Sequence, residues 1–244
     1  MEQSQLKHLH DFQRVLRDYK PSLEILDILQ TTQLVVVAGP SASGRNTIIN
    51  SLIMTGKYHF LVSDTTRRPR INNGVPERSG EEYWFIGEDE FLHGLKNGAY
   101  LEAAIIHNQQ VSGISIRELY KAAETGRVAI TDVEIQGCDN IKSFSDTTIP
   151  IFILPPTFEE WMKRMDGRGV MSPEEKRRRL TSAANEIQLA TQRSYFKFVI
   201  NWDIKVTVEE IHEHIISGNF GVAEQTAAHS HAQQLLADLD NFLR

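Results

Sequence analysis

The stretch GPSASGRNT, residues 39–47, has the residue types and spacing to hold an anion. Gly39 and Gly44 match the two glycines of the phosphate-binding pattern G-x-x-x-x-G-K-[ST]. The apolar run LVVVAG (34–39) precedes the loop and a helical stretch follows it. That order builds a nest of backbone N–H groups and a helix N-terminus, both directed at an anion. Ser41, Ala42, Ser43 and Thr47 complete the loop, with Arg45 where the pattern has Lys and Asn46 where it has a Mg²⁺-ligating Ser or Thr. Arg keeps the positive charge on a bulkier, planar fork. Asn offers Mg²⁺ a carbonyl oxygen from a longer arm. Taken alone, the match fits an anion site and a plain Gly-rich turn about equally well. Further along, Arg67 and Arg70 flank Pro69, a spacing that can clamp a phosphate dianion. Asp132 ends the apolar run VAITD, where a carboxylate beside a phosphate loop can hold Mg²⁺ through water. The segment WMKRMDGRGVMSPEEKRRRL carries Arg164, Arg168 and Arg179; in isolation it reads as a solvated basic face.

These residues fall in an ordered series that resembles the guanylate kinase family from about residue 33 to 217. After the phosphate loop comes S-x-T-T-R-x-P-R as Ser63, Thr65, Thr66, Arg67, Pro69 and Arg70. Gly80, Glu82, Tyr83 and Phe85 follow, then Tyr100, Leu101 and Glu102, then Asp132, Val133, Glu134, Gln136 and Gly137. Pro155–Pro156, Gly167–Gly169, Arg179–Leu180 and Val199–Asn201 complete the set. The resemblance implies an α/β nucleoside monophosphate kinase fold, a parallel sheet core flanked by helices, with GMP-binding and lid subregions. It implies transfer of the γ-phosphoryl group of ATP to GMP, with Mg²⁺. It assigns ATP to Gly39, Ser41–Thr47 and Asn201, the last at adenine. It assigns GMP to Ser63, Arg67, Arg70, Tyr83, Glu102, Ser112, Asp132 and Glu134, and Mg²⁺ to Asn46 and Asp132. Arg45, Arg164, Arg168 and Arg179 would offset charge on the transferring group. Glu102 can accept from the N1–H and 2-amino donors of guanine, a pair that adenine lacks. Where the family has Y-G-[ST], this chain has QQVSGIS, aligned on Ser112, Gly113 and Ile114, without the aromatic and one hydroxyl. With Arg45 and Asn46, that points to a slow kinase. The alternative is a catalytically impaired module that binds GMP or a phosphorylated protein segment. The three lid arginines favour the kinase, because a pure binder has little use for them.

The elements that position these residues fall into three zones: an N-terminal helical extension (1–31), a guanylate-kinase-like domain (32–217) and a C-terminal tail with an amphipathic helix (218–244). Leu6, Leu9, Phe12, Leu16 and Tyr19 give the extension helical spacing, and Pro21 divides it into two helices. Strands are expected at 34–39, 60–65, 100–106, 128–134, 149–155 and 198–201, alternating with helical stretches as a parallel sheet requires. Ser172, Pro173 and Glu175 predict a capped helix start. The tail opens on the small, polar GNFGVAEQTAAHSH and closes on Leu235, Leu236, Leu239, Phe242 and Leu243. The sequence leaves open whether the terminal helices pack on each other, on the core or across a homodimer or protein partner.

A net charge of −6 disfavours nucleic-acid binding, which needs a basic face. No apolar run approaches the ~20 residues of a spanning helix. The polar N-terminus and single cysteine, Cys138, lead us to expect a cytoplasmic, reducing setting, with Cys138 a packed residue. The histidines, His212, His214, His229 and His231 among them, form no convincing metal set and read as surface residues.

Overall fold

The structure, a computed structural model, describes residues 6–72, 74–167, 169 and 171–244. Arg168 therefore lies outside the described residues. The chain runs α1 (Leu9–Arg17), α2 (Leu23–Thr31), β1 (Leu34–Ala38), α3 (Arg45–Met54), β2 (Tyr58–Phe60), β3 (Asp64–Thr65), β4 (Ile71–Asn72), β5 (Val75–Pro76), β6 (Trp84–Phe85), α4 (Glu88–Lys96), β7 (Tyr100–Ile106), β8 (Gln110–Ser115), α5 (Ile116–Thr125), β9 (Val128–Asp132), α6 (Ile135–Lys142), β10 (Ile149–Leu154), α7 (Phe158–Asp166), α8 (Pro173–Thr191), β11 (Lys197–Ile200), α9 (Ile204–Ser217) and α10 (Val222–Leu243). It divides into two compact units. The first takes in the chain up to Leu34, His59–Thr131 and Asp139–Thr148; the second takes in Val35–Tyr58, Asp132–Cys138 and Ile149–Arg244.

In the first unit the strands run β6-β3-β8-β7, with β8 antiparallel to both of its neighbours. β8 is a strand where the sequence suggested none. Its Ser112 and Gly113 give no apolar alternation, yet the strand is paired on both sides. A Cβ on Gly113 would lie 2.6 Å from the Glu102 carbonyl, so the tight ladder with β7 requires glycine. The strand expected at 60–65 is two, β2 and β3. Between them the Val62 N–H is taken by the Glu118 carboxylate at 3.2 Å instead of by a neighbouring strand. Glu118 is 1% exposed and also accepts from the Trp84 indole, Lys121 and His59. Burial alone would raise its pKa; these donors outweigh burial and hold it at about 2.

α1 packs inside this unit. Phe12 is fully buried and meets Phe91 edge-on at 6.0 Å, and Phe91 stacks on Tyr100 at 4.3 Å. Leu9, Leu16 and Tyr19 close on the same cluster, which explains their helical spacing. α2 buries Ile25, Ile28 and Leu29.

In the second unit β11, β10 and β1 are parallel, in that order. β1 is buried along its whole length, and β10 at every residue but its first, as their continuous apolar runs require. Ser172 Oγ accepts the Glu175 N–H and Pro173 opens α8 as expected. α10 is longer than its leucine pattern suggested. The small, polar stretch is its first half, because alanine carries no helix penalty and lets the helix approach closely. Ala228, Ala232, Leu235 and Leu239 form its buried stripe. Gln225 bonds both backbone groups of Phe198, its Oε1 accepting at 2.9 Å and its Nε2 donating at 3.0 Å, and so seals the outer edge of β11. α1 buries Phe12, and α10 buries Leu235 and Leu239 while Phe242 near its end stays exposed.

His212, His229 and His231 are part-exposed, as surface residues are, and each holds a hydrogen bond to a neighbouring element. His231 donates to the Pro155 carbonyl at 2.9 Å and His229 to that of Thr191 at 3.2 Å. His212 bonds the Tyr58 hydroxyl at 2.7 Å. Burial and then Lys57 push its pKa down. Cys138 is fully buried. Among the described residues no helix is long and apolar enough to cross a membrane.

Candidate active site

The phosphate loop lies wholly in the second unit. Gly39, with φ 147°, follows β1, and a Cβ there would lie 2.5 Å from the Ile153 carbonyl. Gly44, with φ 97°, caps α3, and a Cβ there would strike the Asn201 amide. Ala42 adopts a left-handed backbone, and Ser43 N–H closes a turn on the Pro40 carbonyl at 3.1 Å. The Trp161 indole holds the Ser41 carbonyl at 2.8 Å. The loop borders a cleft of about 200 Å³ lined by Arg45, Asn46, Glu134 and Glu186 among others. Arg45 Nε, at this cleft, and Ser43 Oγ, within the loop, are buried without a hydrogen-bond partner. Arg45 donates from Nη1 to the Gly39 carbonyl at 3.1 Å, and its Nη2 lies 3.7 Å from Asp132. Asn46 and Thr47 are exposed.

Asp132, expected beside the loop as a Mg²⁺ ligand as well as at GMP, and Glu134, expected at GMP, both belong to this unit with the loop. Asn201, expected at adenine, is fully buried in this structure. Its Nδ2 donates to the Ser43 carbonyl at 2.8 Å, so it ties the loop down from beneath. Arg164 reaches the Asn201 carbonyl at 3.4 Å and pairs with Glu160 at 3.1 Å. Arg179 pairs with Glu175, one turn earlier on α8, at 2.6 Å. Glu186 escaped the sequence reading. Its signal was a carboxylate beside the apolar stripe of Ala183, Ile187 and Ala190 on α8. Burial pushes its pKa up; the Ser182 hydroxyl and the Arg45 charge oppose that, and Glu134 adds to it.

A divalent cation fits the donor set of this cleft in one manner. Among the described residues no three His, Cys, Asp or Glu side chains converge as a metal cage. Asp132 and Asn46 supply two oxygen donors of the hard kind, as suits Mg²⁺, which keeps several waters and shares its coordination with substrate phosphates.

The first unit holds the acceptor-type residues. Arg67 is buried and forms a fork with Glu77, at 2.5 Å from Nη1 and 2.9 Å from Nη2. Its guanidinium lies 4.7 Å over the Tyr83 ring and 5.4 Å from that of Phe85. Glu77 also accepts the Arg70 N–H at 2.8 Å. The Arg67 hydrogen bond, against burial, holds Glu77 at about 2. Glu77 too was missed. The signal was the Asn-Gly pair at 73–74 between Ile71 and Val75, a hairpin signature. The resulting β4–β5 ladder returns Glu77 to Arg70. Ser63 holds the Trp84 N–H through its carbonyl at 2.9 Å. Ser112 Oγ donates to Thr65 Oγ1 at 2.9 Å, which ties β8 to the start of the acceptor loop. Glu102 stands on β7 opposite Ile114. Arg70 is exposed.

A Gly-rich loop between a buried parallel strand and a helix, with a basic side chain in its cleft, defines a nucleotide-phosphate-binding α/β protein. The family model described as guanylate kinase matches residues 31–217. A guanylate kinase of Corynebacterium diphtheriae is 34% identical over 186 residues, covering 75% of this chain and 94% of that one. One of Clostridioides difficile is 35% identical over 185 residues, covering 75% and 86%. The crystal structure of guanylate kinase from Anaplasma phagocytophilum superimposes with a TM-score of 0.55 at 25% identity, covering 79% of this chain and 88% of that one. The chain belongs to the guanylate kinase family.

Proposed function

We propose that this protein transfers the γ-phosphoryl group of ATP to GMP, giving ADP and GDP. The observation that carries the reading is Arg67: a buried guanidinium on the acceptor loop, fixed by Glu77 and two aromatic rings before any substrate arrives. Glu77 and the Arg68 carbonyl already take donors of both Nη atoms, so a phosphate dianion meets a positioned cation and bonds through its remaining N–H groups. Glu102 accepts from the N1–H and 2-amino group of guanine, and Tyr83, Ser63, Ser112 and Arg70 complete the acceptor contacts. On the donor side the loop N–H groups and Arg45 hold the ATP phosphates, with Ser43 Oγ as a further donor. Asp132 and Asn46 would hold Mg²⁺, which supplies charge neutralisation at the phosphates. Glu134 adds negative charge at the same cleft. No strong base is needed, since the acceptor is itself an anion. Arg164, Arg168 and Arg179 counter the charge of the group in transfer. For Arg164 and Arg179 that requires exchange of a glutamate partner for a phosphate. The net charge of −6 and the single cysteine support a cytoplasmic setting without nucleic acid.

Titration calorimetry tests the base reading. GMP is expected to bind more tightly than AMP by about 2 kcal/mol or more, the value of hydrogen bonds to a charged carboxylate. Equal affinities would remove Glu102 from base recognition.

A further inference from the structure

The N-terminal extension, which lies almost wholly outside the family match, reaches the strand that carries Glu102. Tyr19, two residues past α1, donates its phenol O–H to the Tyr100 carbonyl at 2.6 Å and accepts the Tyr100 N–H at 2.9 Å. β7 is an edge strand, and its outward backbone groups have no strand to pair with. One phenol satisfies both groups of Tyr100. The site is a particular one. Tyr100 stands opposite Ser115 and Glu102 opposite Ile114, so Leu101 is an extra residue, a β-bulge. A bulge re-aims the side chain that follows it, and here that side chain is Glu102. The Tyr19 ring packs on the cluster of Phe12, Phe91 and Tyr100, which fixes where the hydroxyl points. Burial pushes the Tyr19 pKa up to about 12; the Tyr100 bond opposes this and the Glu102 charge adds to it.

We infer that Tyr19 is a positioning residue for guanine recognition: its two bonds to Tyr100 fix the bulge that aims Glu102 at the base. The inference rests on the reading of Glu102 proposed above. The extension itself need not touch the nucleotide.

Steady-state kinetics of the full chain test it, with GMP, IMP (which lacks the 2-amino group) and ATP varied in turn. Tyr19→Phe keeps the ring in its cluster and removes only the hydroxyl. The KM for GMP is expected to rise about tenfold, a modest share of the ~10²-fold that an ångström of misplacement can cost. The KM for ATP and kcat stay within about twofold, and the preference for GMP over IMP shrinks. Glu102→Gln is the reference variant, expected to raise the KM for GMP more strongly. Adding Tyr19→Phe to it should then change little, because both act through one carboxylate. If Glu102→Gln raises the KM for GMP and Tyr19→Phe does not, the inference alone is overturned. If Tyr19→Phe raises the KM values of GMP and ATP equally, or adds in full to Glu102→Gln, its role is only structural and the inference is again overturned. If Glu102→Gln itself leaves the KM and the preference unchanged, the base reading has failed and the inference falls with it.

Discussion

Arg45→Ala is expected to lower kcat for ATP and GMP at least about a hundredfold, or ~2.7 kcal/mol of transition-state stabilisation. In the proposed reaction the loop N–H groups would meet the phosphates, but backbone dipoles alone do not match a full positive charge in a cleft of about 200 Å³. Arg45 brings that charge. Its Nε is buried and unpartnered, and its Nη atoms rest on the Gly39 carbonyl and near Asp132. A carbonyl and a carboxylate at 3.7 Å are weaker partners than a triphosphate, so the guanidinium can exchange them for phosphate oxygens. GMP affinity should stay within about twofold, since Arg67 and Glu102 lie on other elements. Steady-state kinetics with calorimetry on the same variant separate the two effects. A variant that keeps full kcat would show that the N–H nest suffices and that Arg45 only braces the loop.

Arg67→Ala should act on two quantities at once. GMP binding is expected to weaken between about tenfold and a hundredfold, the range for hydrogen bonds to charged groups. Guanosine, which has no phosphate to clamp, should bind as before. Stability should also fall, by about 3 kcal/mol, because the substitution strands Glu77. The pair is nearly closed to solvent, with side chains 5% and 8% exposed, so a lone Glu77 carboxylate would lose its counter-charge in a dry place. The double variant Arg67→Ala with Glu77→Gln should recover most of the stability and none of the GMP affinity. Thermal melts and calorimetry on the single and double variants check this. Equal losses for GMP and guanosine would mean that Arg67 works through the fold.

The contrast between the two units explains what the sequence could tell. The phosphate loop is legible as a local pattern, because strand, glycines and helix all lie within residues 34–54. β1 and β10 announce themselves as apolar runs because both of their faces are covered. β8 does not, since its place is set by pairing on both sides and by the room that Gly113 leaves for the Glu102 carbonyl. The reach of Asn201 beneath the loop joins residues 158 positions apart, and that of Tyr19 to Tyr100 spans 81. No periodicity carries such contacts. His231 and His229 look like a polar tail in one dimension and turn out to hold carbonyls of neighbouring elements. The residues that carry chemistry were therefore easier to name than the partners that hold them. Glu77, Glu186 and Tyr19 all belong to the second group.

A loop that carries Arg45 and Asn46 is expected to support phosphoryl transfer to GMP. Release of ADP by the purified protein, measured with ATP and Mg²⁺ against GMP, AMP and UMP, tests it most directly. GMP-dependent ADP release is expected, with kcat/KM for GMP at least about a hundredfold above that for AMP or UMP, as for a site built to hydrogen-bond one base. GMP that binds in calorimetry yet elicits no ADP release would contradict it, and would leave a guanylate-kinase-like module that recognises GMP without phosphorylating it.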